Sequence, residues 1–294
     1  MVTILILYRG KCALSKSAAR YLIAMAVADL LIIFFDLIWR HIASVYRLEF
    51  SFLLYIPVCN IHAVVLYTVT DYSVWFTVGF TFDRYIAICV QKLKTKYCME
   101  KTATVVLATI ALLFSLKNTF WYFMFTSRYE LASLSWLCYI TTSVAQSEVW
   151  GAIEFVHYIL TPCIPFVVIL LFNALTVRYI LVTNRARSRL RSHGCRECPS
   201  DPEMDSRRKS IIILYAISGN FILLWAVSMI HNIYWRMVYL GYETVYLPVH
   251  VREVGFMLQL LSCCTNTAIY AITQRKFREE LKYLFSFSFI TNKK

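Results

Sequence analysis

The sequence predicts an all-α membrane protein, a bundle of seven transmembrane helices of which the first is largely missing. Hydrophobic residues make up 59% of the 294 residues and charged residues only 16%, against about 25% charged residues in a typical soluble domain. The polar residues fall between long apolar blocks that lack strict alternation. This pattern favours membrane-spanning helices over a β-barrel.

Six apolar blocks are long enough to cross a bilayer, which requires about 20 residues. They cover residues 20–45, 56–89, 102–125, 150–183, 210–238 and 250–273. A seventh block, residues 1–8, is too short to span, and we expect it to be the inner end of a truncated first span. Residues 275–285 are predicted to form a short amphipathic helix. We interpret residues 1–294 as one domain.

The basic residues predict how the chain is oriented in the membrane. Of the 30 Lys and Arg residues, 24 lie in alternate loops and in the C-terminal tail, and the positive-inside rule assigns these segments to the cytoplasm. The net charge of +13 therefore reflects topology and attraction to anionic membrane lipid. Nucleic acid is not an expected partner, because no zinc-finger or RNP motif accompanies the charge. We expect a multi-pass plasma-membrane protein.

An adjacent acid and base end the apolar block of residues 56–89. They are Asp83 and Arg84, followed by Tyr85 and a lysine-rich segment. Charges this close to a membrane span are costly to bury and are usually functional. An arginine that is neutralised by its neighbour at the inner mouth of a bundle can be released when the bundle opens. The pattern therefore predicts a switch.

Two of the ten cysteines are predicted to face the oxidising exterior. Cys59 lies at the outer start of the third span, and Cys138 lies in the loop of residues 126–149. A disulfide between them would hold this loop over the mouth of the bundle; two free thiols are the alternative. The CxxC spacing of Cys195 and Cys198 lacks a second ligand pair, which favours a solvated loop over a metal site.

Four stretches carry a resemblance to a known family. They are residues 22–30 (LIAMAVADL), 80–89 (FTFDRYIAIC), 91–98 (QKLKTKYC) and 275–278 (RKFR). With the predicted topology and the cysteine pair, they resemble the rhodopsin-like (class A) G-protein-coupled receptors over the whole chain. The closest similarity is to the orphan group around the "probable G-protein coupled receptor 139".

The resemblance implies a receptor and not an enzyme. Such a receptor passes the signal of an extracellular small ligand, an aromatic amino acid or a short neuropeptide, to a heterotrimeric G protein. A polytopic transporter is a less favoured alternative, because the chain shows no internal repeat and contains only seven glycines. A truncated receptor fragment that does not signal is a further alternative.

The resemblance also assigns roles to single residues. The G-protein switch is matched by Asp83, Arg84, Tyr85, Asn266 and Tyr270. A pocket for an allosteric sodium ion, with no other cofactor implied, is matched by Asp29, Ser73, Ser262 and Asn266. Trp225 matches an aromatic toggle below the ligand site, with Phe221 one turn inward.

The outer half of the bundle offers candidate ligand contacts. They are the inward-facing residues Tyr67, His157, Asn232, Arg252 and Glu253. A packed side chain without ligand contact is the alternative for each of them. An aromatic pocket with one cation and one acid suits a zwitterion. Lys117 and Asn118, in the outer fourth span, are interpreted as snorkelling side chains.

The sequence departs from the family at the partner of the switch arginine. Arg207 occupies the region where many members carry an acid that pairs with the residue matched by Arg84. Two arginines at this place repel each other. We therefore expect the inactive-state ionic lock between the third and sixth spans to be absent, and the bundle to open more easily.

Overall fold

The computed structural model describes residues 2–9, 14–46, 49–50, 56–123, 147–191, 202–239 and 247–291. In these ranges every regular element is a helix, so the predicted all-α membrane fold is confirmed. The α-helices are Val2–Tyr8, Lys16–Ile32, Ala43–Val45, Ile56–Cys89, Gln91–Tyr97, Glu100–Asn118, Glu148–Tyr158, Ile164–Arg191, Pro202–Tyr239, Val249–Thr273 and Arg275–Thr291. Thr119–Phe123 is a 3₁₀-helix, and Ile33–Ile42 and Ile159–Cys163 are π-helical.

Six helical stretches in the described part of the chain are long and apolar enough to cross a bilayer. We number them as the second to seventh spans, in continuity with the sequence blocks. They are Lys16–Ile42, Pro57–Cys89, Glu100–Phe123, Glu148–Thr183, Ser210–Trp235 and His250–Thr273. The second span begins before residue 20 because Ser15 caps it: the Ser15 Oγ accepts a hydrogen bond from the Ala18 N–H at 3.3 Å.

The third span is the central helix of the bundle. In its most apolar stretch 67% of the residues are buried, against 11% in the fourth span. It packs against the second, fourth, fifth and sixth spans. The fourth span instead exposes large apolar side chains such as Leu112, Leu113 and Leu116, as expected for a face that contacts lipid. A side chain on the third span can therefore contact several other spans.

The helix Val2–Tyr8 packs at the inner end of the bundle, against the second span and the terminal helix. Ile6 and Leu7 are almost fully buried there. The Thr3 hydroxyl forms a hydrogen bond with the hydroxyl of Thr267 on the seventh span at 3.0 Å. The terminal helix contributes Phe277, which is fully buried in the same inner core.

Two irregular helical segments shape the outer half of the bundle. The second span changes from α to π geometry at Ile33–Ile42. The fifth span is interrupted at Thr161, whose φ of −149° and ψ of 109° are not helical. The interruption precedes Pro162, which lacks the N–H that a continuous helix requires. π-helical segments often occur at functional sites, and both irregular segments contribute residues to the same cavity.

Candidate functional site

The Asp83–Arg84 pair is buried at the inner end of the third span. Only 5% of Asp83 and 6% of Arg84 are exposed. The Arg84 Nε donates a hydrogen bond to Asp83 Oδ2 at 3.0 Å, and Arg84 Nη2 forms an ion pair with the same oxygen. The Ser17 hydroxyl also donates to this oxygen, at 3.3 Å. The arginine charge is thus neutralised inside the bundle, as a buried charge requires.

Serine hydroxyls bind the remaining donors of the Arg84 guanidinium. Arg84 Nη2 donates to Ser15 Oγ at 2.9 Å, and Nη1 donates to Ser210 Oγ at 3.2 Å. Ser210 begins the sixth span, so a hydrogen bond from the guanidinium to an uncharged hydroxyl joins the third span to the sixth. The Arg207 side chain lies outside the described residues, and the expectation that the ionic lock is absent stays a prediction.

Cys98 lies beside this pair, in the segment between the third and fourth spans. Its thiol donates a hydrogen bond to the backbone carbonyl of Asp83, with an S···O distance of 3.6 Å. Burial, and next the nearby Asp83 carboxylate, raise the pKa of the Cys98 thiol to about 11. The thiolate is therefore disfavoured at neutral pH, and Cys98 is a weak nucleophile.

The two predicted switch tyrosines pack at the inner end of the bundle in different ways. The ring of Tyr85 stacks on Phe172 of the fifth span, with 5.4 Å between centroids. Tyr270 is 1% exposed and meets the ring of Phe277 edge to face at 6.1 Å. Tyr270 therefore connects the seventh span to the terminal helix, and Tyr85 connects the third span to the fifth.

Asp29 lies in the interior, where the second, third and seventh spans meet. Ser73 Oγ donates a hydrogen bond to Asp29 Oδ1 at 2.7 Å, and Asn266 Nδ2 donates to Asp29 Oδ2 at 2.7 Å. The structure therefore brings together three of the four residues predicted for the ion pocket. At Ser262, the fourth, the backbone carbonyl accepts hydrogen bonds from Asn220 at 3.4 Å and from Thr265 at 3.1 Å.

Asn220 is a member of this polar cluster that the sequence reasoning missed. Its amide nitrogen donates to Asn266 Oδ1 at 3.5 Å, and its amide oxygen accepts from the Thr265 hydroxyl at 2.7 Å. A polar amide among apolar neighbours on the sixth span was the available signal. Asn220 directly precedes Phe221, so the sixth span contributes both to the polar cluster and to the predicted toggle.

The predicted toggle forms an aromatic pair on the sixth span. The rings of Phe221 and Trp225 lie 5.3 Å apart, and both side chains are 4% exposed. They pack against Val74 and Val78 of the third span and Ile169 of the fifth. Trp225 also lines the cavity described next. The pair therefore connects that cavity to the middle of the bundle.

A cavity of about 260 Å³ opens between the second, third, fifth, sixth and seventh spans, and we call it the outer cavity. Its lining combines aromatic and charged residues: Tyr67, Trp225, Phe256, Asp36, Arg40 and Arg252. Four of the five predicted ligand contacts line it, namely Tyr67, His157, Asn232 and Arg252. Glu253 does not line it, but forms an exposed ion pair with Arg252 at 2.8 Å.

Asp36 and Arg40 are cavity residues that the sequence reasoning missed. They form an ion pair at 2.5 Å on the π-helical part of the second span. The Arg40 guanidinium also lies over the ring of Phe256, 5.0 Å from its centroid, which is a cation–π contact. A signal was present in the sequence, because ionisable residues inside an apolar span are rare and usually functional.

Asp71 and Lys117 form a further ion pair, which joins the third span to the fourth. Asp71 is fully buried, and its Oδ2 accepts from Lys117 Nζ at 2.7 Å and from Asn118 Nδ2 at 2.6 Å. The snorkelling interpretation of Lys117 and Asn118 is therefore wrong, because both point into the bundle. The Asp71 carboxylate pairs directly with the Lys117 ammonium, so the side chain does not extend to the membrane surface.

The outer end of the third span carries the predicted disulfide position. Cys59 is buried and is disulfide-bonded in the structure. Cys138 lies outside the described residues, so the pairing of Cys59 with Cys138 stays a prediction. Cys59 packs with Ala63 and Trp121 near the outer end of the fourth span.

The two ends of the bundle together define a class of protein. A lined cavity opens at the outer end, and a buried acid–arginine pair bonded to the sixth span lies at the inner end. The protein is a multi-pass membrane receptor.

The family match agrees with this class. A protein-family model described as "7 transmembrane receptor (rhodopsin family)" matches residues 1–270. The chain therefore belongs to the rhodopsin family of G-protein-coupled receptors, and it is a plasma-membrane receptor and not an enzyme. Receptors of this family respond to an extracellular ligand by signalling to a G protein.

Proposed function

We propose that the outer cavity binds a small aromatic zwitterion, such as an aromatic amino acid or a short peptide. Binding then promotes nucleotide exchange on a heterotrimeric G protein. The observation that carries this proposal is one cavity with aromatic rings and charges of both signs. Its volume of about 260 Å³ lies just below the usual range for ligand pockets, roughly 300–1,000 Å³. A small ligand is therefore favoured.

The charged residues suggest how such a ligand is oriented. Arg252 is 49% exposed in its side chain, and its partner Glu253 is 44% exposed, so this ion pair contributes little and is easily exchanged. A ligand carboxylate can replace Glu253 in a bidentate contact with the guanidinium. The ligand ammonium shares the Asp36 carboxylate with Arg40, and the ligand ring packs between Tyr67 and Trp225. Within the rhodopsin family, the sequence motifs favour a relationship to the orphan group around the "probable G-protein coupled receptor 139".

The proposed transmission uses the sixth span. A ligand against Trp225 changes its packing with Phe221, and an outward swing of the sixth span separates Ser210 from Arg84. The freed Arg84 then contacts the G protein. We further propose that Asp29 and Ser73 hold a sodium ion in the inactive state, since a carboxylate and a hydroxyl are oxygen ligands that suit a small hard cation.

Nucleotide exchange in membranes that contain the receptor and a G protein tests the proposal. L-tryptophan and L-phenylalanine should stimulate exchange, whereas tryptamine, which lacks the carboxylate, should require at least tenfold higher concentration. Arg252→Gln should remove this preference for the carboxylate. Arg20→Gln is the matched control, because the Arg20–Glu100 ion pair is similarly exposed, at 46% and 38%, but does not line the cavity.

The switch is tested by a separate variant. Arg84→Ala should abolish exchange while surface display and ligand binding persist, because Arg84 makes the proposed contact with the G protein and lies at the opposite end of the bundle from the outer cavity. A chain that reaches the surface and shows neither basal nor stimulated exchange, whether or not Arg84 is intact, would favour the alternative of a receptor fragment that does not signal.

A further inference from the structure

His157 contacts a lysine, and this contact determines where the imidazole carries its proton. His157 Nδ1 lies 3.0 Å from Lys117 Nζ. An ammonium group has three donors and no acceptor, so Lys117 donates and Nδ1 must accept with its lone pair. An imidazole with a free lone pair on Nδ1 is neutral and carries its proton on Nε2. The nitrogen that remains for the outer cavity is therefore a donor.

The lysine that sets this proton position is itself held in place. Its ammonium lies 2.7 Å from Asp71 Oδ2, and Asp71 is fully buried. Asn118 Nδ2 donates to the same oxygen at 2.6 Å, and Asn118 Oδ1 accepts from Trp121 Nε1 at 3.1 Å. This network fixes the carboxylate, and the carboxylate fixes the ammonium. Lys117 therefore stays beside Nδ1.

Aromatic rings hold the imidazole in one orientation. His157 meets Tyr67 edge to face at 5.1 Å and Trp121 edge to face at 5.4 Å. Tyr67 and Trp121 in turn stack on each other at 4.1 Å. His157 is 5% exposed and lines the outer cavity. A ring packed in this way keeps Nδ1 toward Lys117 and leaves Nε2 for the cavity.

We propose that Lys117 and Asp71 act as positioning residues that make His157 a hydrogen-bond donor to the inner end of the ligand. His157 lies nine residues after Glu148, the first residue of the fifth span, so roughly 14 Å below the outer end at 1.5 Å per residue. Arg252 lies close to the start of the seventh span. The inference rests on the proposed ligand site, and it adds a preference for one chemical group at the inner end of the ligand.

The ligand class that this geometry selects carries an oxygen acceptor at its deep end. A phenol or a peptide carbonyl satisfies the Nε2–H donor, whereas an ammonium at that place does not. A plain phenyl ring leaves the donor unpaired. L-tyrosine should therefore act at about tenfold lower concentration than L-phenylalanine, the ratio that one ordinary hydrogen bond gives.

The first experiment is independent of any ligand. The receptor is labelled with ¹⁵N-histidine, and His157→Phe assigns the His157 resonances among those of the six histidines. At pH 7 we expect one protonated nitrogen, Nε2, and one unprotonated nitrogen, Nδ1. A protonated Nδ1 would overturn the proposal. The Asp71→Asn/Lys117→Met double variant removes both charges together, and the single tautomer should then give way to a mixture.

The second experiment measures the concentration ratio of L-tyrosine to L-phenylalanine in nucleotide exchange. His157→Gln keeps a donor at the end of its side chain and should keep the preference for tyrosine, whereas His157→Phe and the double variant should lose it. An unchanged ratio in the double variant overturns the positioning role. If neither amino acid acts, the proposed ligand class fails, and the ¹⁵N spectrum still decides whether His157 is a donor.

Discussion

The hydrogen bond between Arg84 and Ser210 makes a quantitative prediction about basal signalling. It joins Arg84 Nη1 to Ser210 Oγ at 3.2 Å and is the contact by which Arg84 holds the start of the sixth span. Ser210→Ala removes the acceptor and leaves a good helix former in its place. Only the closed bundle loses an interaction, so the active bundle becomes more populated.

The magnitude follows from the surroundings of this bond. Hydrogen bonds to charged groups contribute roughly 1.5–3 kcal/mol. Ser210 is only half-buried, and Arg84 keeps its bonds to Asp83, Ser15 and Ser17. We therefore expect a loss of about 1 kcal/mol, below the range for a fully desolvated bond. This loss raises the ratio of active to inactive receptor about fivefold.

The assay is ligand-free nucleotide exchange, normalised to the amount of receptor at the surface. Ser210→Ala should raise the basal rate about fivefold if the active state is a minor one. Ser210→Asp should lower it, because a carboxylate pairs with Arg84 more strongly than a hydroxyl does. Ser218→Ala is the matched control: Ser218 is buried on the same helix, and its hydroxyl bonds no other described group. Equal basal rates for Ser210→Ala and Ser218→Ala would refute the reasoning.

Three further predictions concern other charged or reactive groups. Asp29→Asn should abolish any difference in basal exchange between sodium and N-methylglucamine chloride at equal ionic strength; a persisting difference would exclude Asp29 as the sodium site. Arg40→Met removes the 2.5 Å partner of buried Asp36, so the thermal midpoint in detergent should fall by several degrees, and Asp36→Asn in the same chain should restore most of it. The pKa of Cys98 is about 11, against 9.0 for an ordinary thiol. At pH 7.5 Cys98 should therefore be alkylated roughly 100-fold more slowly than an ordinary exposed thiol. Asp83→Asn should accelerate this alkylation, and an unchanged rate would contradict the electrostatic cause.

The fold was accessible from the sequence because a bilayer imposes a simple requirement. Every backbone polar group in lipid must be paired, so a span is a helix whose length is set by the membrane. The third-span helix, predicted at residues 56–89, occupies Ile56–Cys89. The terminal helix continues beyond the predicted residue 285 to Thr291. The ends of helices depend on local contacts, which a hydropathy pattern does not report.

The polar contacts of the interior were less accessible, because they join distant parts of the chain. Asp71 and Lys117 are 46 residues apart, and nothing near either residue in the sequence indicates its partner. Asp36 and Arg40 are only four residues apart and could have been found as an acid–base pair inside an apolar block. Their place in the cavity depends on the π-helical geometry of Ile33–Ile42, and no short sequence motif predicts this geometry.

The sixth span explains how a ligand and a G protein can influence each other without touching. It carries Trp225 at the outer cavity, Asn220 in the polar cluster of Asp29, and Ser210 at Arg84. These three contacts lie on one continuous helix, so an outward movement of that helix disturbs them together. Coupling requires an element with two positions whose equilibrium is shifted by binding at either end. Since coupling between binding sites is reciprocal, Ser210→Ala should also increase the affinity of an activating ligand, by a factor no larger than its effect on basal activity.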